Sequence, residues 1–213
     1  MRLFVVLACL LVGCLAQKPH PCKSPPLMTG GLMVSSQNEK LFVLGKYLYD
    51  AIGQRIRLFE RGTLDNQTFT EDILLLYREQ VMYEINDKDK TCKKAPLKAD
   101  FIPSGVPGDA SLVGQVVLGD SSRPGEGLLV NTWHGELPNK GGKYLTTVTE
   151  FGCVPVTFSY QTPDYGWLLT RYFDNVIGIS DPGKLNPPSF CTSVDLKSEE
   201  EPVDFFSSFI RKN

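Results

Sequence analysis

The sequence lacks an apolar run long enough to cross a bilayer as a helix. Its longest run, Leu3 to Leu15, is shorter than the roughly 18–20 residues that a spanning helix needs. The run follows the basic start Met1-Arg2 and leads into Cys14-Leu15-Ala16, with small residues at both ends. This order of basic, apolar and small residues is typical of a secretory signal peptide. We therefore expect a signal peptide at residues 1–16 and a single secreted domain at residues 17–213.

A second interpretation of the same segment is a bacterial lipobox. In Leu11-Val12-Gly13-Cys14 the cysteine would become lipidated and N-terminal. Cys14 would then anchor the chain to a membrane and leave an odd number of cysteines. The features described next favour the secretory interpretation.

The sequence also has no block of basic residues and only two histidines. Its 22 Lys and Arg are outnumbered by 24 Asp and Glu, which argues against a nucleic-acid partner. No metalloprotease, hydrolase, P-loop or dinucleotide-binding motif occurs. His20 lies in a Pro-rich start, so His134 is the one candidate base, and a single histidine at a strand end is typical of a surface residue. We therefore expect that this protein is not an enzyme.

Four cysteines remain outside the predicted signal peptide: Cys22, Cys92, Cys153 and Cys191. An even number in a secreted chain predicts two disulfides, for which three connectivities are open. The wide spacing does not match the close cysteine pairs of zinc sites. Asn66-Gln67-Thr68 is a glycosylation sequon, which fits the same compartment and predicts a glycan on Asn66.

The hydropathy pattern predicts an all-β protein. Arg55 and Arg57 alternate with Ile56 and Leu58, as in a strand with one wet and one dry face. The 19 Gly and 15 Pro separate such runs at short intervals. The predicted strands are 31–35, 41–49, 54–60, 72–77, 81–86, 112–118, 128–133, 144–149, 154–161, 167–173 and 175–179. Segments 95–110 and 181–190 are irregular, and only 203–210 has the pattern of a short helix.

Aromatic residues at alternate strand positions suggest an apolar pocket. A curved sheet with bulky apolar residues on one face can enclose an apolar ligand, although ordinary core packing produces the same pattern. The predicted lining is Phe158, Tyr160, Trp167 and Leu169, with Trp133 as a wall and Arg171 at the mouth, facing an anionic head group.

Calcium is the other ligand that the sequence suggests. Asp87-Lys88-Asp89 begins like an EF-hand loop, but Cys92 and Lys98 occupy the positions of the invariant Gly and Glu. The acidic end offers carboxylates for weak Ca²⁺ binding at Glu199, Glu200, Glu201 and Asp204, near Asp195. A solvated charged tail is the alternative interpretation.

Several segments together resemble the ependymin family. They are Pro21-Cys22-Lys23-Ser24-Pro25-Pro26-Leu27, Tyr83-Glu84-Ile85, Thr91-Cys92-Lys93-Lys94, Trp133-His134-Gly135, Gly152-Cys153-Val154-Pro155-Val156, Pro187-Pro188-Ser189-Phe190-Cys191 and the Glu-rich end with Phe205-Phe206. The resemblance covers essentially the whole chain after residue 16. It implies the disulfides Cys22–Cys153 and Cys92–Cys191.

The resemblance also implies a fold and a function. The implied fold is two stacked antiparallel β-sheets, forming a sandwich or clam that encloses an apolar pocket. The implied function is binding of a hydrophobic ligand (lipid, fatty acid or ganglioside) by a secreted or lysosomal homodimeric glycoprotein. The alternative is a calcium-binding glycoprotein that acts in cell–matrix adhesion through its surface and glycan, with the extracellular matrix as partner. Some members of the family carry a second sequon just before the second cysteine, but Asp89-Lys90-Thr91 stands in that place here. Calcium binding attributed to glycan acids is therefore weaker for this chain.

Overall fold

The computed structural model describes residues 18–137, 142–192 and 194–196. Within them lie eleven strands: β1 (Leu27–Ser36), β2 (Leu41–Asp50), β3 (Arg55–Leu64), β4 (Gln67–Leu76), β5 (Val81–Asn86), β6 (Thr91–Pro96), β7 (Ser111–Gly119), β8 (Gly127–Glu136), β9 (Lys143–Thr149), β10 (Pro155–Thr162) and β11 (Gly166–Ile177). Two short 3₁₀ helices, Pro182–Leu185 and Ser189–Cys191, follow β11. The all-β prediction is confirmed. The predicted helix at 203–210 and the predicted signal peptide at 1–16 lie outside the described residues.

One strand, β6, was not predicted. Its sequence Thr-Cys-Lys-Lys-Ala-Pro is polar and contains proline, so it has no apolar alternation. The structure places it at one edge of the sheet, where lysine and proline are typical because they prevent pairing with other chains.

The eleven strands form one antiparallel sheet, not the two sheets that the resemblance implies. Their order is β6-β5-β4-β3-β2-β1-β11-β10-β9-β8-β7. Strands β1–β6 and strands β7–β11 form the two halves of the sheet. They are joined because β1 pairs with β2 on one side and with β11 on the other. Hydrogen bonding therefore continues across the whole sheet.

The two faces of this sheet differ. The face that we call the core face carries the largest buried cluster, which includes Leu32, Val43 and Leu58, each with no exposed surface. We call the opposite face the groove face. It carries a smaller cluster in which Leu48 and Leu74 pack with Leu185 and Cys191 of the two 3₁₀ helices. Alternation along each strand assigns every side chain to one face.

Residues 97–110 connect the two edge strands, β6 and β7, by crossing the core face. Phe101 contacts Tyr49 and Tyr77, with ring centroids 5.9 and 5.2 Å apart. A flat sheet of eleven strands would be about 48 Å wide, and this connection would reach only about 50 Å if fully extended. Because it contains a turn at Pro107–Ala110, the sheet must curve toward it. The core face is therefore concave.

Both disulfides implied by the resemblance are present. Cys22–Cys153 joins the N-terminal segment to the turn between β9 and β10, and Cys92–Cys191 joins β6 to the second 3₁₀ helix. The first bridge thus fixes the N-terminal segment to the sheet, and the second bridge fixes the segment that follows β11 to the sheet. In the part of the chain described here, no helix is long and apolar enough to span a membrane.

Candidate ligand-binding groove

A groove of about 1370 Å³ lies along the groove face. Residues of β2, β3 and β4 form much of its lining, and Phe173 of β11 also lines it. Lys184 of the first 3₁₀ helix also lines it, as do Ser180 and Asp181 just before that helix. Its volume is larger than that of most small-molecule sites and sufficient for a lipid-sized ligand.

The floor of the groove is apolar where β1, β2, β3 and β11 meet. Phe173 pairs with Gly31, and a Cβ at Gly31 would lie only 2.1 Å from the Phe173 ring. The glycine therefore leaves the space that the ring occupies. Leu44 and Phe59 line the same floor from β2 and β3. Phe173 is 40% exposed, so this floor is accessible to a ligand.

Three exposed cations surround this floor: Lys46, Arg61 and Arg171. Lys46 pairs across the strands with Phe59, and Arg61 pairs with Leu44. Arg171 lies on the same face one strand beyond β1, opposite Met33. None of the three forms an ion pair with another described residue. Their positive charge is thus available to an anionic group.

The far wall of the groove is, by contrast, held by a paired cation. The Arg57 guanidinium donates to both Asp72 carboxylate oxygens, at 2.8 and 2.7 Å, and to the Lys184 carbonyl oxygen at 2.6 Å. Arg57 also lies 4.8 Å from the centre of the Phe59 ring. These contacts fix the first 3₁₀ helix against the sheet. Together with the Cys92–Cys191 bridge, they make this wall a built part of the fold.

A carboxyl group lies directly behind the floor, on the core face. Glu60 is only 3% exposed, and neither of its carboxyl oxygens has a hydrogen-bond partner among the described residues. Burial, and secondarily the charge of Glu71 on β4, raise the pKa of Glu60 to about 8. Asp50, by contrast, forms an ion pair with Arg55 at 2.6 Å. There burial opposes the charged form, but hydrogen bonds and the cation lower the pKa of Asp50.

The structure does not bring the six predicted pocket residues together. Tyr160 pairs with Leu168, so Phe158 and Tyr160 point to the core face. Trp167, Leu169 and Arg171 pair with Gln161, Ser159 and Thr157 and point to the groove face. The alternation within each strand was predicted correctly. The prediction placed the residues of β10 and those of β11 on one face, because the register between the two strands was not known from the sequence.

On the core face the predicted residues are packed rather than open. The Phe158 ring lies between those of Tyr144 and Tyr160, with centroids 6.0 and 5.9 Å away. Trp133 is 3% exposed and packs with Val106 and Cys153, and its indole N–H has no hydrogen-bond partner in the described ranges. These side chains belong to the core of the described structure.

The other predicted site residues are separated from the groove. Asn66 is exposed at the β3–β4 turn, and His134 is exposed on β8. Glu199, Glu200, Glu201 and Asp204 lie outside the described residues. Among the residues that are described, no three His, Cys, Asp or Glu side chains are placed to hold a metal ion.

Sequence reasoning missed Lys46, Arg61 and Phe173 as groove residues. The available signal was the alternation Phe42, Leu44, Lys46 on one strand and Phe59, Arg61 on the next. Cations interleaved with large apolar side chains on one strand face are consistent with an amphiphilic surface. The sequence did not show that these strands are neighbours of β11.

Comparisons with known proteins identify relatives along nearly the whole chain. A family model described as Ependymin matches residues 65–191. Ependymin-2 of Carassius auratus is 31% identical over 211 residues, covering 96% of this chain and 98% of the relative. Ependymin of Notemigonus crysoleucas is 32% identical with the same coverage. Mammalian ependymin-related protein 1 of Rattus norvegicus is 28% identical over 185 residues, covering 86% and 81%.

A solved structure supports the fold alone. An uncharacterized conserved protein from Thermus thermophilus aligns with a TM-score of 0.51 at 8% sequence identity, covering 82% of this chain and 91% of that one. The family model covers more than half of the sequence, and the relatives above 30% identity cover most of it. The chain belongs to the ependymin family.

Proposed function

We propose that this ependymin-family protein is a secreted, single-domain binding protein whose groove takes a lipid with an anionic head group. The proposal places the ligand on the groove face instead of between two sheets. The observation that carries it is the apolar floor of Leu44, Phe59 and Phe173 beside Lys46, Arg61 and Arg171. The acyl chain would lie on the floor, and the head group would meet the cations.

The physical chemistry of this arrangement favours an amphiphile over a purely polar or purely apolar ligand. Each methylene removed from water contributes about 0.8 kcal/mol, and an exposed ion pair between a cation and the head group contributes about 0.2–1 kcal/mol. A polar ligand would leave the floor uncovered. An uncharged apolar ligand would leave three cations without a counterion.

Binding of a fluorescent long-chain fatty acid tests the proposal, with the matching fluorescent fatty alcohol as the neutral probe. We expect the protein to bind the acid at least tenfold more tightly than the alcohol. The triple variant Lys46→Gln, Arg61→Gln, Arg171→Gln should lose that preference, because about 1.4 kcal/mol corresponds to a tenfold change in affinity.

The control is the variant Lys40→Gln, Lys90→Gln, Arg123→Gln, which removes three exposed cations that pair with Asp65, Asp87 and Glu126. It should bind both probes like the unmodified protein. If the protein binds neither the fatty acid nor the fatty alcohol, the proposal is wrong. The calcium-binding adhesion glycoprotein would then be the better supported function.

We also propose that two copies pair through β7. This edge strand has no charged residue, and Val116, Val117 and Leu118 are each more than 40% exposed. A neutral strand can pair with its own copy without charge repulsion. The unpaired backbone groups of an apolar edge strand favour such pairing.

A further inference from the structure

Glu60 lies directly behind four side chains of the groove floor. On β3, Glu60 stands between Phe59 and Arg61, and on β2 its partner Gly45 stands between Leu44 and Lys46. Because side chains alternate, the four flanking residues point into the groove while Glu60 points to the core face. A change of charge on Glu60 therefore acts on the two strands that form the floor.

The sequence provides the space for this carboxyl group. A Cβ at Gly45 would lie 3.2 Å from the Glu60 Cγ and 2.8 Å from the Phe59 carbonyl oxygen. Any larger residue at position 45 would compete with the Glu60 side chain. The carboxyl group is thus accommodated in a layer where its oxygens have no hydrogen-bond partner within the described part of the chain. Such an arrangement is costly for a charge but not for a neutral acid.

Among the residues that the structure describes, no cation acts on Glu60. Of the groups that face it, Gly45 and Tyr47 come from β2, Leu58 and Gly62 from β3, and Glu71 from β4. The Tyr47 hydroxyl donates to the Asn175 side-chain oxygen at 2.6 Å, and burial raises the pKa of Tyr47, so it stays neutral. Glu71 is the charged neighbour, directly opposite Glu60.

We propose that Glu60 and Glu71 form a carboxyl pair that regulates the groove by holding a proton. With the proton bound, β2 and β3 stay packed and the floor is ordered. When the proton leaves, the buried charge loosens these strands and weakens ligand binding. The effect on the ligand rests on the function proposed above, whereas the effect on the strands does not.

The direction of the pH effect follows from the raised pKa of Glu60. In the unfolded chain the group ionises near its ordinary value of 4.5, and in the folded protein near 8. Between these values the folded state binds the extra proton, so the free energy of unfolding falls as pH rises. The stabilising effect of the proton is complete below about pH 4.5 and lost as pH passes 8.

Unfolding in urea and amide hydrogen exchange, both between pH 6 and pH 9 and without ligand, test the pair. We expect the unfolding equilibrium constant to rise at least tenfold between pH 6 and pH 8. Exchange protection in 41–50 and 55–64, corrected for the intrinsic rate, should fall more than in 127–136. Glu60→Gln should remove most of both changes, whereas Glu126→Gln, at an exposed ion pair, should keep them.

Glu71→Gln gives an independent measurement that keeps Glu60 in place. Removing the Glu71 charge should shift the upper end of the stability loss to lower pH. If Glu60→Gln leaves the pH dependence of unfolding and exchange unchanged, the proposal is wrong. If Glu60→Gln does not fold, the same outcome in Glu71→Gln overturns the proposal.

Fatty-acid binding measured at pH 6 and pH 9 separates this inference from the proposed function. Weaker binding at pH 9, absent in Glu60→Gln, supports the regulation of the groove. Equal binding at both pH values by the unmodified protein overturns that regulation. If no fatty acid binds at any pH, the proposed function fails, and the two ligand-free measurements still decide the pair.

Discussion

Asn66 shows how single residues determine the turn at which β3 meets β4. Asp65 and Asn66 have φ angles of 47° and 67°, the left-handed region that a two-residue hairpin turn requires. Asp and Asn tolerate this conformation better than other residues with a Cβ. The turn places the Asn66 side chain in solvent, at the tip of the hairpin.

We expect Asn66 to carry a glycan if the protein passes through the secretory pathway, as proposed above. At the tip of the hairpin a bulky polar group displaces no packed side chain, so glycosylation should leave the stability of the fold nearly unchanged. Glycosidase treatment should lower the apparent mass of the protein, and Asn66→Gln should abolish that change. A mass that glycosidase does not alter would show that the sequon is not used.

At the scale of strands, the two edges of the sheet contrast. On β6, Lys93 pairs with Glu84 at 3.1 Å, and Lys94 forms a bridge with Leu196. This edge is therefore charged and partly covered. On β7 the exposed residues include the apolar Val113, Val116, Val117 and Leu118, an arrangement that isolated soluble proteins usually avoid.

We expect the protein to be a dimer and the variant Val116→Lys, Leu118→Lys to be a monomer. Two lysines on one face of an edge strand would repel their copies across a two-fold axis and stay solvated in the monomer. Sedimentation equilibrium measures the mass directly. Val176→Lys, an exposed apolar position on β11, is the matched control and should remain dimeric. A dimer that persists in the β7 variant would exclude this edge as the interface.

At the scale of the whole molecule, the disulfides connect parts of the chain far apart in sequence. They close loops with sequence separations of 131 and 99 residues. Such loops restrict the unfolded chain strongly, and removal of a native bridge from a secreted domain typically costs about 2–5 kcal/mol. The two bridges differ in location, because only Cys92–Cys191 adjoins the groove.

We expect Cys92→Ser, Cys191→Ser to weaken fatty-acid binding, and Cys22→Ser, Cys153→Ser to leave it nearly unchanged. Both double variants should lose about 2–5 kcal/mol in urea unfolding. The difference arises because the first pair holds the wall with Lys184 and Asp181, whereas the second pair packs with Trp133 on the core face. Equal loss of binding in the two variants would contradict the assignment of the groove wall.

Alternating apolar and polar residues determined most strands, since this pattern depends only on local backbone geometry. The failures have definite causes. Strand β6 lacked the pattern because it is a polar edge, and the separate strands predicted before and after residue 174 are one strand, β11. The disulfide pairing came from the family resemblance, because the cysteine spacing left three connectivities open.

Only the tertiary structure decided which faces of these strands meet. The sequence determined that Phe158 and Tyr160 share one face and that Trp167, Leu169 and Arg171 share another. It did not contain the register between β10 and β11, or the pairing of β1 with β11 across more than a hundred residues. A shift of one residue in such a register reverses every side chain. The groove, its unpaired cations and the buried Glu60 all depend on that long-range pairing, whose free energy comes from packing distant segments and not from any local pattern.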